Sequence, residues 1–520
     1  MTQKDALTLL KTGRNAFITG PAGSGKTHLM NQYIKYLKEH HVSVAITAST
    51  GIAATHMGGM TIHSWSGMGI KSDMNELDLE ALADKDQLVS RLQSARVLII
   101  DEVSMLHYYQ LDMIDAICRR LRKDLPIKAG EGKMPDKAKN LPFGGLQVVL
   151  CGDFFQLPPI MRSYNWSSGN ISEANDLRGD YSSDGLDSYF IYRSKAWKDG
   201  NFTVCYLSEN FRHKDDVSIS VLNDIRSGEI SARSYEHLMA RQSVDSSKLA
   251  VAPTRLFTHN IDVDQVNFTE LDKITDTEHT YEMSARGKKH ALESLKKSCL
   301  APEILRLKKG ARVMCVKNNF EAGYVNGTLG VVVSCGYGLD PVIHTAPTPD
   351  FPQGRRLTIE QATWTIDDDG FLLAEVKQYP LRLAWAITVH KSQGMSLDAV
   401  EVDLSKSFEP GMGYVALSRV RSFEGLKILG INEMALRVHP EVLEYDRHLR
   451  DLSSKAEAVL ADADNSSLKK MHDGFLAKVA PLHGIIQGQT KKIGSASSLK
   501  KYKNHAKTKT LRGKYREANY

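Results

Sequence analysis

The stretch AFITGPAGSGKT, Ala16 to Thr27, decides how the rest of the chain reads. A short apolar run ends in glycine, and a helical pattern continues from Lys26 to His40. Gly20, Pro21, Ala22, Gly23, Ser24, Gly25, Lys26 and Thr27 fit GxxxxGK[ST] between a predicted strand and a predicted helix, the setting that gives this spacing its meaning. Glycines let successive N–H groups curl around phosphate oxygens, and the helix N-terminus adds positive potential. Lys26 is expected to reach the β- and γ-phosphates, with the Thr27 hydroxyl as a ligand of Mg²⁺.

Outward from this loop, VSVAIT (Val42 to Thr47), VLIIDE (Val97 to Glu102) and QVVLCGD (Gln147 to Asp153) read as further strands. Near-continuous Val/Ile/Leu strands separated by helices indicate a parallel sheet covered on both faces. The fold class is therefore α/β, with a first lobe over residues 1–205. Within it, residues 57–85 read as a small wedge-type insertion and the Ser/Asn/Gly/Asp-rich residues 161–187 as a long polar loop. LAVAPTRLFTHNID, LRLAWAITVH, AVEVDL and LKILGI supply strands for a second α/β lobe over residues 206–304 and 380–450. Between its halves, GARVMCV, NGTLGVVV, RRLTIEQATWTI and FLLAEVK predict hairpins, and hence a small β-barrel inserted at residues 305–379. No internal repeat of fixed period is visible.

Composition agrees with several globular domains. The chain has 520 residues, 42% apolar and 25% charged, which suggests roughly three or four domains and excludes fibrous or wholly disordered classes. No run approaches the ~18 apolar residues of a membrane span, and the first residues lack a secretory h-region. The six cysteines are scattered without CxxC spacing, so reduced thiols in a cytoplasmic setting are expected. The net charge of +6 is unevenly placed: from Asn465 onward thirteen Lys/Arg face only Asp473 and Glu517. Residues 451–520 are accordingly read as a basic tail, either solvated or touching a polyanion.

Asp101 and Glu102 close an apolar strand, facing the crevice where α/β sheets hold ligands. Downstream of a phosphate-binding loop, Asp101 suits Mg²⁺ and Glu102 suits proton removal from an attacking water. Gln156, in CGDFFQLPP, could bond both a γ-phosphate and that water, though a plain loop contact fits equally. Arg212 (ENFRHKD) and Arg419 (YVALSRV) would stabilise transition-state charge if aimed at the γ-phosphate from the facing lobe. Taken alone, each fits a salt bridge at least as well.

The ordered series GPAGSGKT, TASTGIAATHMGGMTIHSWSGMG, LIIDEVSML, GGLQVVLCGDFFQLPP, LSENFRHKD, TVHKSQGMSLD and YVALSRVRSFEGL resembles the PIF-one (petite integration frequency) helicases, a superfamily-one group related to RecD-like motors. The similarity runs from Gln3 to about Leu429. It implies two RecA-like lobes clasping ATP, 5′→3′ translocation on single-stranded DNA, and unwinding of duplex at single-strand/duplex junctions in replication, repair or recombination. It implies that Gln3 reads adenine, that Gln156 senses the γ-phosphate, and that Arg212 and Arg419 reach across from the second lobe. The inserted barrel corresponds to a Src-homology-three-like grip on the strand. His213 stands where glutamine is usual. Gln3 lies almost at the start, which favours a compact bacterial or phage-like form acting at the nucleoid or in a phage-infected cell.

DNA contacts are expected from two segments. Ser49, Thr50 and Gly51 precede a helix, and Thr61, His63 and Ser64 follow a GG turn; hydroxyls and N–H groups there suit phosphates, while His63 and Trp65 could stack on bases. Thr388, His390 and Ser392 occupy the equivalent turn of the second lobe. Helix capping is the competing role for each hydroxyl. The tail lysines Lys491, Lys492, Lys500, Lys501, Lys503, Lys507 and Lys509 would add nonspecific DNA affinity or dock replication or recombination proteins. A RecD-like subunit of a larger complex and a nucleotide-dependent DNA-binding scaffold remain as alternatives.

Overall fold

In a computed structural model of the chain, the residues described are 1–69, 71–123, 141–159, 162–164, 171–173, 189–213, 215–246, 249, 253–317, 319, 321–324, 328–345, 353–368, 371–395 and 397–479. The first lobe is built on a six-stranded parallel sheet in the order Met60–Thr61, Val44–Ala48, Val97–Asp101, Gln147–Cys151, Ala16–Thr19, Thr203–Tyr206. Its central strands Ala16–Thr19, Val97–Asp101 and Gln147–Cys151 are buried along their whole length and mostly apolar because both faces are covered. Phe17, Leu98, Ile100, Val148 and Leu150 enter one core, whereas Ala16, Ile18, Val97, Ile99, Val149 and Cys151 enter the other. Each large apolar side chain so buried contributes roughly 1.5–3 kcal/mol. The helix Lys26–Glu39 buries Leu29, Met30, Tyr33, Ile34 and Leu37 on one stripe, and the Tyr33 hydroxyl donates to Gln147 Oε1 at 2.7 Å. That stripe fixes the helix N-terminus, and with it the phosphate-binding loop.

Residues 57–85 are woven into this lobe rather than projecting from it. Met60–Thr61 is the edge strand of the main sheet, and Ile62, Trp65, Met68, Leu79 and Leu82 belong to its core. Trp65 is only 3% exposed, so its ring is unavailable for base stacking. Of residues 161–187, Arg162–Tyr164 and Ile171–Glu173 form a two-stranded antiparallel ribbon; the remainder of that polar segment lies outside the described residues.

The second lobe carries a four-stranded parallel sheet in the order Ala386–Thr388, Thr254–Phe257, Val400–Leu404, Leu426–Ile431. The insert has wider boundaries than its turn signals suggest. His279–Glu282, Ser284–Gly287 and the helix Lys289–Ser298 already belong to it, and Leu381–Leu383 closes it. The apolar run Leu381 to His390 is therefore split: its first part pairs antiparallel with Arg312–Cys315, its second enters the lobe's parallel sheet. Trp385 lies between the two, where the chain changes sheets. The insert comprises a five-stranded antiparallel sheet running from Arg356–Thr358 to Leu381–Leu383, a three-stranded antiparallel sheet, and a two-stranded pair of His279–Glu282 with Ile304–Leu307. Among the described residues no pairing joins the two edge strands, so the larger sheet is open where a closed barrel was expected.

The start of the basic tail is also different. Pro440–Asp462 and Asn465–Val479 are helices that return to the first lobe. The Tyr206 N–H donates to Ser453 Oγ at 3.0 Å, and Phe475 is buried in the core that contains Leu9, Leu10 and Leu29. The apolar face of the last helix outweighs its lysines, which stay on the solvent side. The tail lysines from Lys491 onward lie outside the described residues. Removing the Phe475 ring should cost the first lobe on the order of 3 kcal/mol; Phe475→Ala is expected to lower the thermal unfolding midpoint measurably, whereas Lys469→Ala, on the exposed side, should leave it unchanged.

Candidate functional site

The loop Gly20–Gly25 leaves the central strand Ala16–Thr19 and enters the helix Lys26–Glu39. Gly25 has φ +80°, and a Cβ there would lie 2.0 Å from Gln3 Nε2. Only glycine allows Gln3 to sit over the loop, where its amide donates to the Ser24 carbonyl at 3.3 Å. Ser24 Oγ is buried with no protein partner. Lys26 Nζ donates to the Gly20 and Pro21 carbonyls at 2.9 and 3.1 Å, so its partners are neutral.

Asp101 ends the strand Val97–Asp101 and is 8% exposed. Glu102 follows at φ +52°, ψ +45°, a left-handed conformation that a glutamate adopts only under constraint. Ser49 supplies that constraint: its N–H donates to the Asp101 carbonyl at 3.1 Å and its hydroxyl to the Glu102 carbonyl at 2.7 Å. Burial and the neighbouring Asp101 charge raise the Glu102 pKa above its ordinary value, opposed by Lys26 and Arg419.

From the second lobe, the helix Met412–Leu417 meets the loop that carries Gln156. Gly411 makes the approach possible, since a Cβ there would fall 2.8 Å from the Phe155 carbonyl oxygen. Arg419 follows this helix and is fully buried, donating to the Val415 carbonyl at 2.8 Å and to Ser418 Oγ at 2.9 Å. Arg212 donates to the Ser418 carbonyl at 3.0 Å. Its backbone, however, belongs to the connection between lobes and not to the facing lobe. The Phe211 N–H donates to the Gly23 carbonyl at 2.8 Å, which pins this segment on the phosphate-binding loop. Among the described residues neither arginine has a carboxylate ion-pair partner. Burial, then repulsion from Arg212, depresses the Arg419 guanidinium to about 9; burial also lowers Arg212.

These groups enclose a cavity of about 380 Å³ lined by Ala22, Gly23, Gly25, Lys26, Thr27, Glu102, Gln156, Phe211, Arg212, Gly394, Arg419 and Arg421. A second cavity, of about 220 Å³, shares Thr27, Glu102 and Gly394 with it and adds Thr50, Asp101, His390, Lys391 and Gln393. The expected phosphate-handling residues thus converge, and Thr27 and Asp101, the two expected magnesium ligands, both line the second cavity. Phe211, Arg421 and Gln393 had not been singled out. Arg421 repeats the arginine two positions after Arg419, and Gln393 lies inside TVHKSQG; nothing in local periodicity marks Phe211.

The expected DNA contacts are less exposed than their motif suggests. Thr50 accepts from the Ala53 N–H at 3.2 Å, and exposed Gly51 opens that helix. Thr61 caps the helix Ile62–Ser66 through the Ser64 N–H, His63 Nε2 lies 3.0 Å from Gln110 Nε2, and the Ser64 carbonyl accepts from Arg91. Thr388 and Ser392 are buried, with Thr388 Oγ1 accepting from the Lys391 N–H and the Ser392 hydroxyl donating to the Val389 carbonyl at 2.7 Å. His390 stacks on Phe408 at 6.4 Å between ring centroids.

One parallel-sheet lobe presenting a phosphate loop, and a second closing its cavity with a buried guanidinium, define a two-lobed RecA-like P-loop NTPase. Residues 3–174 match the PIF1-like helicase family, and residues 291–335 match the 2B domain of DNA helicase Pif1. The chain is 40% identical to the ATP-dependent DNA helicase Pif1 of Psychrobacter sp. (strain PRwf-1), over 98% of this chain and 78% of that protein. It superposes on the Pif1 helicase of Candida albicans with a TM-score of 0.69 at 32% identity, covering 86% of this chain and 98% of the other. For a crystal structure of Pif1 helicase from Bacteroides the TM-score is 0.61 at 28% identity, covering 86% and 96%. The chain belongs to the PIF1-like helicase family.

His213 and His390 are both depressed to about 4, chiefly by burial. Their folded pKa values lie below the unfolded value of 6.5, so the unfolded chain takes up more protons as pH falls through that window. Each should therefore reduce stability by at most about 1.4 kcal/mol per pH unit between pH 6.5 and 4. The slope of unfolding free energy against pH is expected to become shallower in His213→Gln.

Proposed function

We propose that this chain is an ATP-dependent DNA helicase that moves 5′→3′ along single-stranded DNA and separates duplex at junctions. The observation that carries the reading is the shared cavity: Lys26 and Glu102 of the first lobe face Arg419 of the second across about 380 Å³, with more positive charge than the protein neutralises. A triphosphate answers that imbalance. The Bacteroides Pif1 structure is in complex with ADP-AlF3 and single-stranded DNA, and a Pif1 structure is described for unwinding at forked duplex DNA, which supports the same substrates here.

In this reading Gln3 and Phe211 receive the adenine end, since Gln3 lies against Gly25 and the 62%-exposed Phe211 ring borders the same glycine. The loop N–H groups and Lys26 bind the phosphates. Mg²⁺, held by Thr27 and Asp101, would neutralise phosphate charge. Glu102 accepts a proton from the water whose oxygen attacks the γ-phosphorus. The bond to the β,γ-bridging oxygen breaks, giving ADP and inorganic phosphate. Arg212 and Arg419 stabilise the transferring group, a contribution typically of about 10³–10⁵ in rate. Because Arg419 gains its anionic partner only across the seam, nucleotide favours lobe closure; that differential contact drives movement along the strand. Single-stranded DNA runs over the turns bearing Ser49, Thr50, Gly51, Thr61, His63, Ser64, Thr388, His390 and Ser392, with hydroxyls released from their caps as phosphates replace them. Residues beyond Val479 carry the lysines that would add salt-sensitive affinity or dock a replication or recombination protein. Among the described residues no helix is long and apolar enough to cross a membrane, and we assign the activity to the cytoplasm.

Lys26→Ala and Glu102→Gln should each abolish unwinding while single-strand affinity, measured by fluorescence anisotropy, stays within about threefold. Arg419→Ala is expected to lower DNA-stimulated kcat by at least about 10³-fold. Partial duplexes with a 5′ overhang should be unwound and those with a 3′ overhang should not; ATP-dependent unwinding by the Lys26 variant would defeat the assignment.

A further inference from the structure

The carboxylate expected to act as base is held by a side chain outside the phosphate-handling set. Gln393 Nε2 donates to Glu102 Oε2 at 3.0 Å and lies 3.4 Å from Gln156 Oε1. Gln393 is 8% exposed, so the amide is fixed by its surroundings. It immediately follows the single-turn helix His390–Ser392, whose carbonyl at His390 accepts its N–H at 3.3 Å. The backbone of Glu102 is gripped from the opposite side by Ser49, next to Thr50 and the helix Gly51–His56. Both grips therefore originate in turns that the proposed function assigns to DNA.

A carboxylate oxygen that accepts a hydrogen bond from a fixed amide is turned toward the donor and away from other partners. The same amide lies near Gln156, the side chain expected to position the attacking water. One side chain thus engages both groups that prepare that water. We propose that Gln393 is a positioning residue that restrains Glu102 until single-stranded DNA seats on the His390–Ser392 turn, so that strand binding, rather than ATP binding alone, frees the base. DNA can shift this equilibrium only if it contacts the turn differently in the two arrangements. Such a difference is available, because the Thr388 and Ser392 hydroxyls are bonded to their own turn: recruiting them to phosphate requires the turn to move, and Gln393 moves with it. The inference rests on the DNA-driven reading of the site and adds to it the origin of strand-stimulated hydrolysis.

The test uses the full chain with Gln393→Met, which keeps length and removes the donor, and Gln393→Asn, which keeps the amide and shortens its reach. ATPase kcat and KM are measured without DNA and at saturating oligo-dT. Loss of one hydrogen bond to a charged acceptor should raise DNA-free kcat about tenfold, leave DNA-saturated kcat within about twofold, and leave KM for ATP and oligo-dT affinity unchanged. The stimulation ratio then collapses in both variants. An unchanged DNA-free rate, or a proportional fall of both rates in variants that keep the parent's thermal midpoint, would overturn the proposal. Should Gln393→Met unfold early, the Gln393→Asn rates decide alone. Absence of any stimulation in the unaltered chain would instead reject the DNA-driven reading beneath it.

Discussion

The two lobes are joined by a buried ion pair on which the geometry of the site depends. Arg226, on the helix Asp216–Ser227, donates through Nη1 to both carboxylate oxygens of Asp153 at 2.7 and 2.8 Å, with both side chains at most 5% exposed. A charge this deep is tolerated only while its partner stays in place. The Asp153 carboxyl is held below its ordinary range by Arg226 and Lys26 despite its burial. Around the pair, Tyr414 donates to Asp153 at 3.2 Å while accepting the Ala22 N–H at 2.8 Å. The phosphate-binding loop is thereby bonded directly to the second lobe. Arg226 also donates to the Tyr206 hydroxyl at 2.8 Å, which Arg450 of the C-terminal helix meets at 2.6 Å. Along this network, from the loop to the returning helix, Arg226 and Arg450 are paired with Asp153 and Asp446.

Against that satisfied network, the adjoining cavity is deliberately unbalanced in charge. Arg226 and Asp153 neutralise one another, whereas Arg419 shares a space with Arg212; beyond the effect of burial, Arg212 lowers the affinity of Arg419 for its proton, and Arg421 lowers that of Arg212. Repulsion between guanidiniums at a seam is a store of free energy that an anion can release. The Asp153–Arg226 pair is neutralised, whereas Arg419 and Arg212 are held, among the described residues, by neutral carbonyl and hydroxyl groups.

The strained backbone at Glu102 belongs to the same logic. A left-handed glutamate persists because Ser49 holds its carbonyl and the preceding strand end. Strain of this kind costs of order 1–3 kcal/mol and sets the carboxylate's direction more narrowly than a relaxed turn would. The same clamp ties Glu102 to the helix Gly51–His56, which begins two residues after Ser49. Ser49 thereby links the segment that opens the helix Gly51–His56 to the backbone of Glu102.

Local sequence was sufficient for the α/β class, both parallel sheets, the phosphate loop and the carboxylates that face it. These depend on short-range facts: glycines where the loop turns, strands apolar on both faces, and acidic residues at a strand's end. Lys26, Thr27, Asp101 and Glu102 were legible as cavity-lining residues for that reason, whereas Gln156 and Arg419, ambiguous on local grounds, were singled out through the motif resemblance. The Leu381 to His390 run illustrates the opposite case. An apolar run looks alike in two sheets, and only tertiary packing decided that it changes partners at Trp385. Lysine content made the last described helix look like solvated tail, yet its buried Phe475 is a contact with residues more than 460 positions away. Arg226 carries no local signature, and the motifs that contain Tyr414 and Gln393 do not name their partners, because a buried arginine, tyrosine or glutamine acquires its role from the atoms it meets. Those meetings join segments separated by 73 to 392 positions, and a pattern read along the chain has no access to distances across it.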